Sequence, residues 1–194
     1  MSSADITGRL ARYMVEARER GLAPHVAREA KHRILDTLAA MVSGSHMKPG
    51  EMAIRFARAQ GGVAEATVLT TDIRTSAVNA ALVNGMFGHA DETDDFEPVT
   101  KAHPGCSVVP AALAMAEREG STGTELLNAV TLGYDLCCRF LLALGADHVR
   151  ASHRSAEGTS STLGAVGAAA ALARLDEKGM RHALSYAAQQ VSGI

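Results

Sequence analysis

The sequence has no tryptophan, and its 194 residues include only four phenylalanines, three tyrosines and three cysteines. Each scarcity removes a class of function. Aromatics at 4% offer no platform on which bases could stack, and 19 Lys and Arg stand against 21 Asp and Glu with no basic block. A nucleic-acid surface is therefore not expected. Cys106, Cys137 and Cys138 form no CxxC pair, which argues against a disulfide framework or zinc knuckle and for a reducing compartment. Long apolar runs are missing too. The stretches around Leu126 to Leu144 and Leu163 to Leu175 are interrupted by Asp135 and Arg139 or are too short for a bilayer, so no membrane partner is expected. The N-terminal MSSADITGRLARYMVEARERG mixes Asp5 and Glu16 with its arginines and has no continuous apolar core. It reads as an amphipathic helix rather than an export signal, and a cytoplasmic location is expected.

What the chain does have is alanine, nearly one residue in five, with 18 Gly and only 5 Pro. Small residues at this density favour close-packed helices over a sheet sandwich, so the expected fold class is all-α. A single domain of this size buries roughly 70% of its unfolded surface. Apolar residues recur at three- and four-residue spacing through most of the chain. Helices are expected over Ile6 to Arg20, with Ser3 or Asp5 as cap, from Pro24 to Ser43-Gly44, and from Pro49 or Glu51 to Gly61-Gly62. Others should run over Ser76 to Phe87, Val108 to Arg118, Gly123 to Leu144, Thr162 to Leu175 and Glu177 to Val191. Ala64 to Thr70 is β-prone but short, and reads as an extended segment without a sheet.

Two irregular stretches interrupt this helical pattern. Gly88 to Pro104 reads GHADETDDFEPVTKAHP, with Asp91, Glu92, Asp94, Asp95 and Glu97 inside seven positions and His89 and His103 flanking them. Asp147 to Ser161 reads DHVRASHRSAEGTSS and places His148, Arg150, His153 and Arg154 in a loop. Polar loops on a rigid scaffold are where sites usually lie. The acidic run lacks the alternation and the Gly-then-Glu ending of a calcium loop, so no metal is expected. Crowded carboxylates raise one another's pKa, and histidines nearby exchange protons near neutrality, which points to proton-transfer chemistry. Cys106 has no separate base and orienter, and reads as a small buried residue rather than a nucleophile. Gly158, Gly164 and Gly167 are not followed by the Lys-Ser/Thr of a phosphate loop, and would let two helices approach closely. Tyr134 and Asp135, inside a long apolar helix, are expected to make buried polar contacts between helices, and Cys137-Cys138 to lie in the core.

Five segments carry a resemblance in both wording and order: AALVNGMFGHADETDD, AHPGCSVVPAALAMAE, GTELLNAVTLGYDLCCR, SHRSAEGTSSTLGAVGAAAALARLD and ALSYAAQQVSGI. Together they resemble the N-terminal part of the MmgE/PrpD family, from about Ile6 to Ile194. That family includes 2-methylcitrate dehydratase, cis-aconitate decarboxylase and iminodisuccinate epimerase. The resemblance implies an all-α main domain, a smaller lid domain absent from this chain, a homodimer, and no metal or organic cofactor. It implies a lyase acting on a small di- or tricarboxylate by proton abstraction next to a carboxylate, with epimerisation or a non-catalytic helical subunit as alternatives. Carried over by position, His103 is the general acid or base, Glu92 takes the place of the first active-site aspartate, and His153 faces the substrate from the second loop. Asp91, Asp95, Lys101 and Arg154 are the substrate-binding candidates. Glu92 for aspartate and Phe96 for threonine are departures that imply a reshaped pocket, and the stretch from His153 to Gly164 is about two residues longer than the family pattern. Relatives run to more than twice this length. The chain is thus expected to be a single, incomplete helical domain over 1–194, either a fragment of a longer protein or a subunit of a split enzyme, forming a homodimer or pairing with a partner chain that supplies the missing half.

Overall fold

The computed structural model describes residues 5–191, and among them the chain is built from nine helices and one two-stranded ladder. The expected all-α class is what the structure shows. The helices are α1 (Ile6–Glu19), α2 (Pro24–Ser45), α3 (Lys48–Gln60), α4 (Ala77–His89), α5 (Gly105–Glu119), α6 (Gly123–Leu144), α7 (Ala146–Ala151), α8 (Ala156–Leu172) and α9 (Glu177–Gln190). Most begin where a side chain satisfies the orphan N–H groups of the first turn. Asp5 accepts from the Gly8 N–H, Ser76 from Asn79, Ser155 from Gly158 and Asp176 from Gly179. Thr122 and Glu125 cap α6 reciprocally. Ser3, the other cap expected for α1, lies outside the described residues.

Three sequence expectations change. The extended segment does find a partner: β1 (Ala66–Thr67) pairs antiparallel with β2 (Arg74–Thr75), Ala66 opposite Thr75. Helix α5 starts at Gly105, ahead of Val108, because its first turn of Gly, Cys and Ser carries no periodic apolar signal. The second irregular stretch is mostly helical. Residues Ala146–Ala151 form α7 and α8 begins at Ala156, which leaves only 152–155 as a connection. The small residues there have modest propensity, and burial of Ala156 and Ser160 with the Ser155 cap overrides it.

The main core runs through Met14, Met41, Phe87, Val108, Leu136 and Met180. At its centre α6 crosses α8, and α5 packs on α8 beside them. The crossing needs glycine, since a Cβ on Gly164 would lie 2.7 Å from the Gly133 carbonyl oxygen and 2.8 Å from Cys137 Cβ. Helix α6 is long and apolar enough by composition to cross a membrane, and here it packs against α1, α2, α5 and α8. Its Asp135 accepts a 2.7 Å hydrogen bond from Tyr13 of α1 and a 2.6 Å ion pair from Arg139. A satellite cluster of Ala102, Cys137, Leu141, Val149 and Ala156 fastens the end of the acidic loop to α6, α7 and α8.

Candidate functional site

The loop between α4 and α5 brings five carboxylates together and gives each a different task. Asp91 closes a local turn, its Oδ1 accepting from the Thr93 N–H at 3.3 Å and hydroxyl at 2.6 Å, and its Oδ2 accepting from Ser43 of α2. The Ser43 and Thr93 hydroxyls hold its carboxyl below the usual range. Glu97 ties the far side of the loop, accepting from the Val99 and Thr100 N–H groups and the Thr100 hydroxyl, while its backbone bridges to Ala102. Asp95 is buried and anchors the loop to the helices: it accepts from the Gly105 N–H at the start of α5 and from the Tyr134 hydroxyl of α6, both at 2.8 Å. Burial pushes the Asp95 carboxyl up from its ordinary value, against the pull of those two bonds. Gly105 is obligatory for this anchor. A Cβ there would lie 2.5 Å from Thr37 Oγ1 and 2.6 Å from Asp95 Oδ1.

Asp94 takes the central role. Its side chain is fully buried, with Oδ1 3.1 Å from His89 Nδ1 and Oδ2 3.4 Å from His103 Nδ1. One carboxylate thus stands between two imidazoles, whose ring centroids are 6.1 Å apart in an edge-to-face arrangement. His103 Nδ1 is buried and makes no aligned hydrogen bond, so Asp94 is its nearest charged neighbour. A carboxylate on Nδ1 favours the proton there and leaves Nε2 as the basic nitrogen. The Phe96 ring packs against His103, with ring centroids 5.5 Å apart and the planes tilted by 56°. Glu92 is exposed, and its Oε1 comes 3.5 Å from His89 Nε2. Cys106 sits at the edge of the cluster, and burial together with the Asp94 charge raises its thiol pKa, keeping it protonated and unsuited to attack as a thiolate.

Of the residues nominated from sequence, His103 and Glu92 enter this cluster, one beside Asp94 and the other beside His89. Asp91 and Asp95 belong to the same loop, but their oxygens are taken up by the turn and the anchor. Lys101 is exposed, two residues before His103, on the wall of a cleft of about 260 Å³ that it shares with His148, Asp147 and Leu141. His153 and Arg154 occupy the short connection before α8 and are exposed. Among the described residues, no hydrogen bond or ion pair joins either side chain to His103. The clefts between α1 and α9 and around Arg174 are lined by none of these residues.

Asp94 was not singled out from the sequence, where it is one acid in a run of five. The usable signal was its spacing, five residues past His89 and nine before His103. Of Tyr134 and Asp135, expected to make buried polar contacts between helices, Asp135 meets Tyr13 of α1, and Tyr134 also ties α6 to Asp95 of the acidic loop. Backbone strain also marks the region. Five described residues other than glycine have positive φ, and three of them are Glu92 (58°), Lys101 (61°) and His153 (58°). Such conformations cost about 1–2 kcal/mol each and gather where function holds them.

The profile of the MmgE/PrpD N-terminal domain matches residues 8–194. A cis-aconitate decarboxylase-like protein of Aspergillus oryzae, oryM, is 27% identical over 151 residues, which cover 74% of this chain and 31% of that protein. The chain therefore spans less than a third of that relative's length.

Proposed function

The chain belongs to the MmgE/PrpD family, and from that membership we propose that its acidic loop is the proton-handling half of a lyase site for a small di- or tricarboxylate. His103 Nε2 removes the proton from the carbon next to a substrate carboxylate, and Asp94 behind Nδ1 orients the ring and stabilises the imidazolium that forms. Glu92, beside His89, supplies a second proton-exchanging group for return of the proton or departure of hydroxide. Lys101 and Arg154, both cationic, meet substrate carboxylates, and His153 closes the site from the α7–α8 connection. Asp91 and Asp95 act as positioning residues that fix the loop. The carbanion formed is a resonance-delocalised enolate, and the cations lower its energy most where charge develops.

The observation that carries the reading is the buried Asp94 held between His89 and His103. An uncompensated buried carboxylate is costly, and among the described residues Asp94 meets two imidazoles, the side-chain type most used for proton transfer. The relative's cis-aconitate decarboxylase-like description makes cis-aconitate the first substrate to test, where CO2 loss leaves the carbanion and His103 returns a proton to it, with 2-methylcitrate and citrate, which lose a proton and hydroxide, next. Because the match covers 31% of that relative, activity is expected of the assembly that holds the rest of the family's architecture, whether on the same polypeptide or on a partner chain. In that assembly, His103→Ala should cut substrate-dependent exchange of the α-proton with deuterated solvent by about 10²–10⁴-fold, with the circular dichroism of the helices unchanged. Exchange at the wild-type rate in His103→Ala would sink the assignment.

A further inference from the structure

Cys106 has no part in that proton chemistry, yet its sulfur, a carboxylate oxygen of Asp94 and a ring nitrogen of His89 all lie within 4.8 Å of one another. We propose that His89, Asp94 and Cys106 form a binding site for a zinc-type divalent cation, and that the bound ion inhibits by drawing Asp94 away from His103.

The donor set selects the ion. One imidazole nitrogen, one carboxylate oxygen and one sulfur suit a borderline-soft, tetrahedral cation, whereas magnesium and calcium require oxygen ligands throughout. The spacing also fits. Bonds of about 2.0–2.3 Å at tetrahedral angles place neighbouring donor atoms about 3.3–3.7 Å apart. His89 Nδ1 is already 3.1 and 3.3 Å from the two Asp94 oxygens. A small turn of the half-exposed His89 ring, together with rotation of the Cys106 side chain, closes the remaining gap. Access and preorganisation are divided between the ligands: the Asp94 side chain is 0% exposed and fixed, while that of His89 is 51% exposed and open to an arriving ion. The fourth position is left for water. Binding exchanges the Cys106 S–H bond for a sulfur–metal bond and releases the proton to solvent, with no change of oxidation state.

The inhibitory part rests on the reading of His103 as the base. Once an Asp94 oxygen ligates the cation, the carboxylate is no longer held 3.4 Å behind His103 Nδ1 to orient the ring. The binding part stands independently. Cobalt(II) is the probe, added to the purified full chain. The expected result is a thiolate-to-cobalt charge-transfer band with intense tetrahedral ligand-field absorption, displaced by zinc. The band should be lost in Cys106→Ala and in His89→Ala and kept in Cys138→Ala, with helicity unchanged in each. No band in the wild-type protein, or a band that survives Cys106→Ala, overturns the site. Zinc should also suppress α-proton exchange in step with its occupancy, and zinc that binds without slowing exchange overturns the inhibitory part. If instead the band follows Cys106 while exchange ignores His103→Ala, the lyase reading fails and the metal site remains.

Discussion

Individual residues in and around the acidic loop hold left-handed conformations that carry a steric cost. Lys101 illustrates this, with φ at 61° in the turn closed by its own N–H on the Glu97 carbonyl. A glycine would adopt that φ without steric cost. Lys101→Gly is therefore expected to keep or raise the melting temperature, with up to about 1 kcal/mol of relieved strain, and, on the proposed reading of Lys101 as a substrate-binding cation, to raise KM. Thermal denaturation and the KM of the assembled enzyme measure the two effects separately. A fall in stability with KM unchanged would show that the lysine serves the fold. Little of this was legible beforehand. The sequence displays five acids in seven positions as equals, and only the folded loop distinguishes Asp94, between two histidines, from Asp91 and Glu97, which close turns.

At the level of elements, legibility followed local chemistry. Helix α6 was read to the residue because Thr122 and Glu125 form a capping box and Gly145 stops the helix. Helix α8 begins six residues ahead of the expected Thr162 and ends three before the expected Leu175; its first turns, Ala-Glu-Gly-Thr-Ser-Ser, have weak propensity and owe their helicity to the Ser155 cap and to packing on α5 and α6. The α6 cap also responds to acid. Glu125 accepts from Arg174 at 2.7 Å and from the Thr122 N–H and hydroxyl, and these partners, Arg174 foremost, lower its pKa from the usual 4.5 to about 2. A depressed folded-state pKa stabilises the fold above the unfolded value, and that contribution is lost as pH falls from about 4.5 toward 2. Glu125→Gln removes the titrating group, so its stability should fall less steeply than that of the wild-type protein across this window. Denaturant unfolding at successive pH values tests this, and parallel slopes for the two proteins would refute it.

For the whole molecule, the sequence conveyed the helical class and the family through the order of its segments, but not how the two histidine-bearing stretches meet. The satellite cluster joining Ala102 to Cys137, Leu141, Val149 and Ala156 links them, and those residues are apolar and unremarkable in the sequence. The anchor from Asp95 to Tyr134 likewise joins the site to the central helix over 39 positions. That anchor also makes the protein optically self-reporting. With no tryptophan, its intrinsic ultraviolet emission comes from three tyrosines. Tyr13 donates to Asp135 and Tyr134 to Asp95, contacts through which a carboxylate quenches an excited phenol, while Tyr186 is 67% exposed. Tyrosine emission should therefore rise on unfolding, and part of that rise should vanish in Tyr134→Phe. The phenol on α6 thus provides an unlabelled signal for whether the acidic loop is docked on the core.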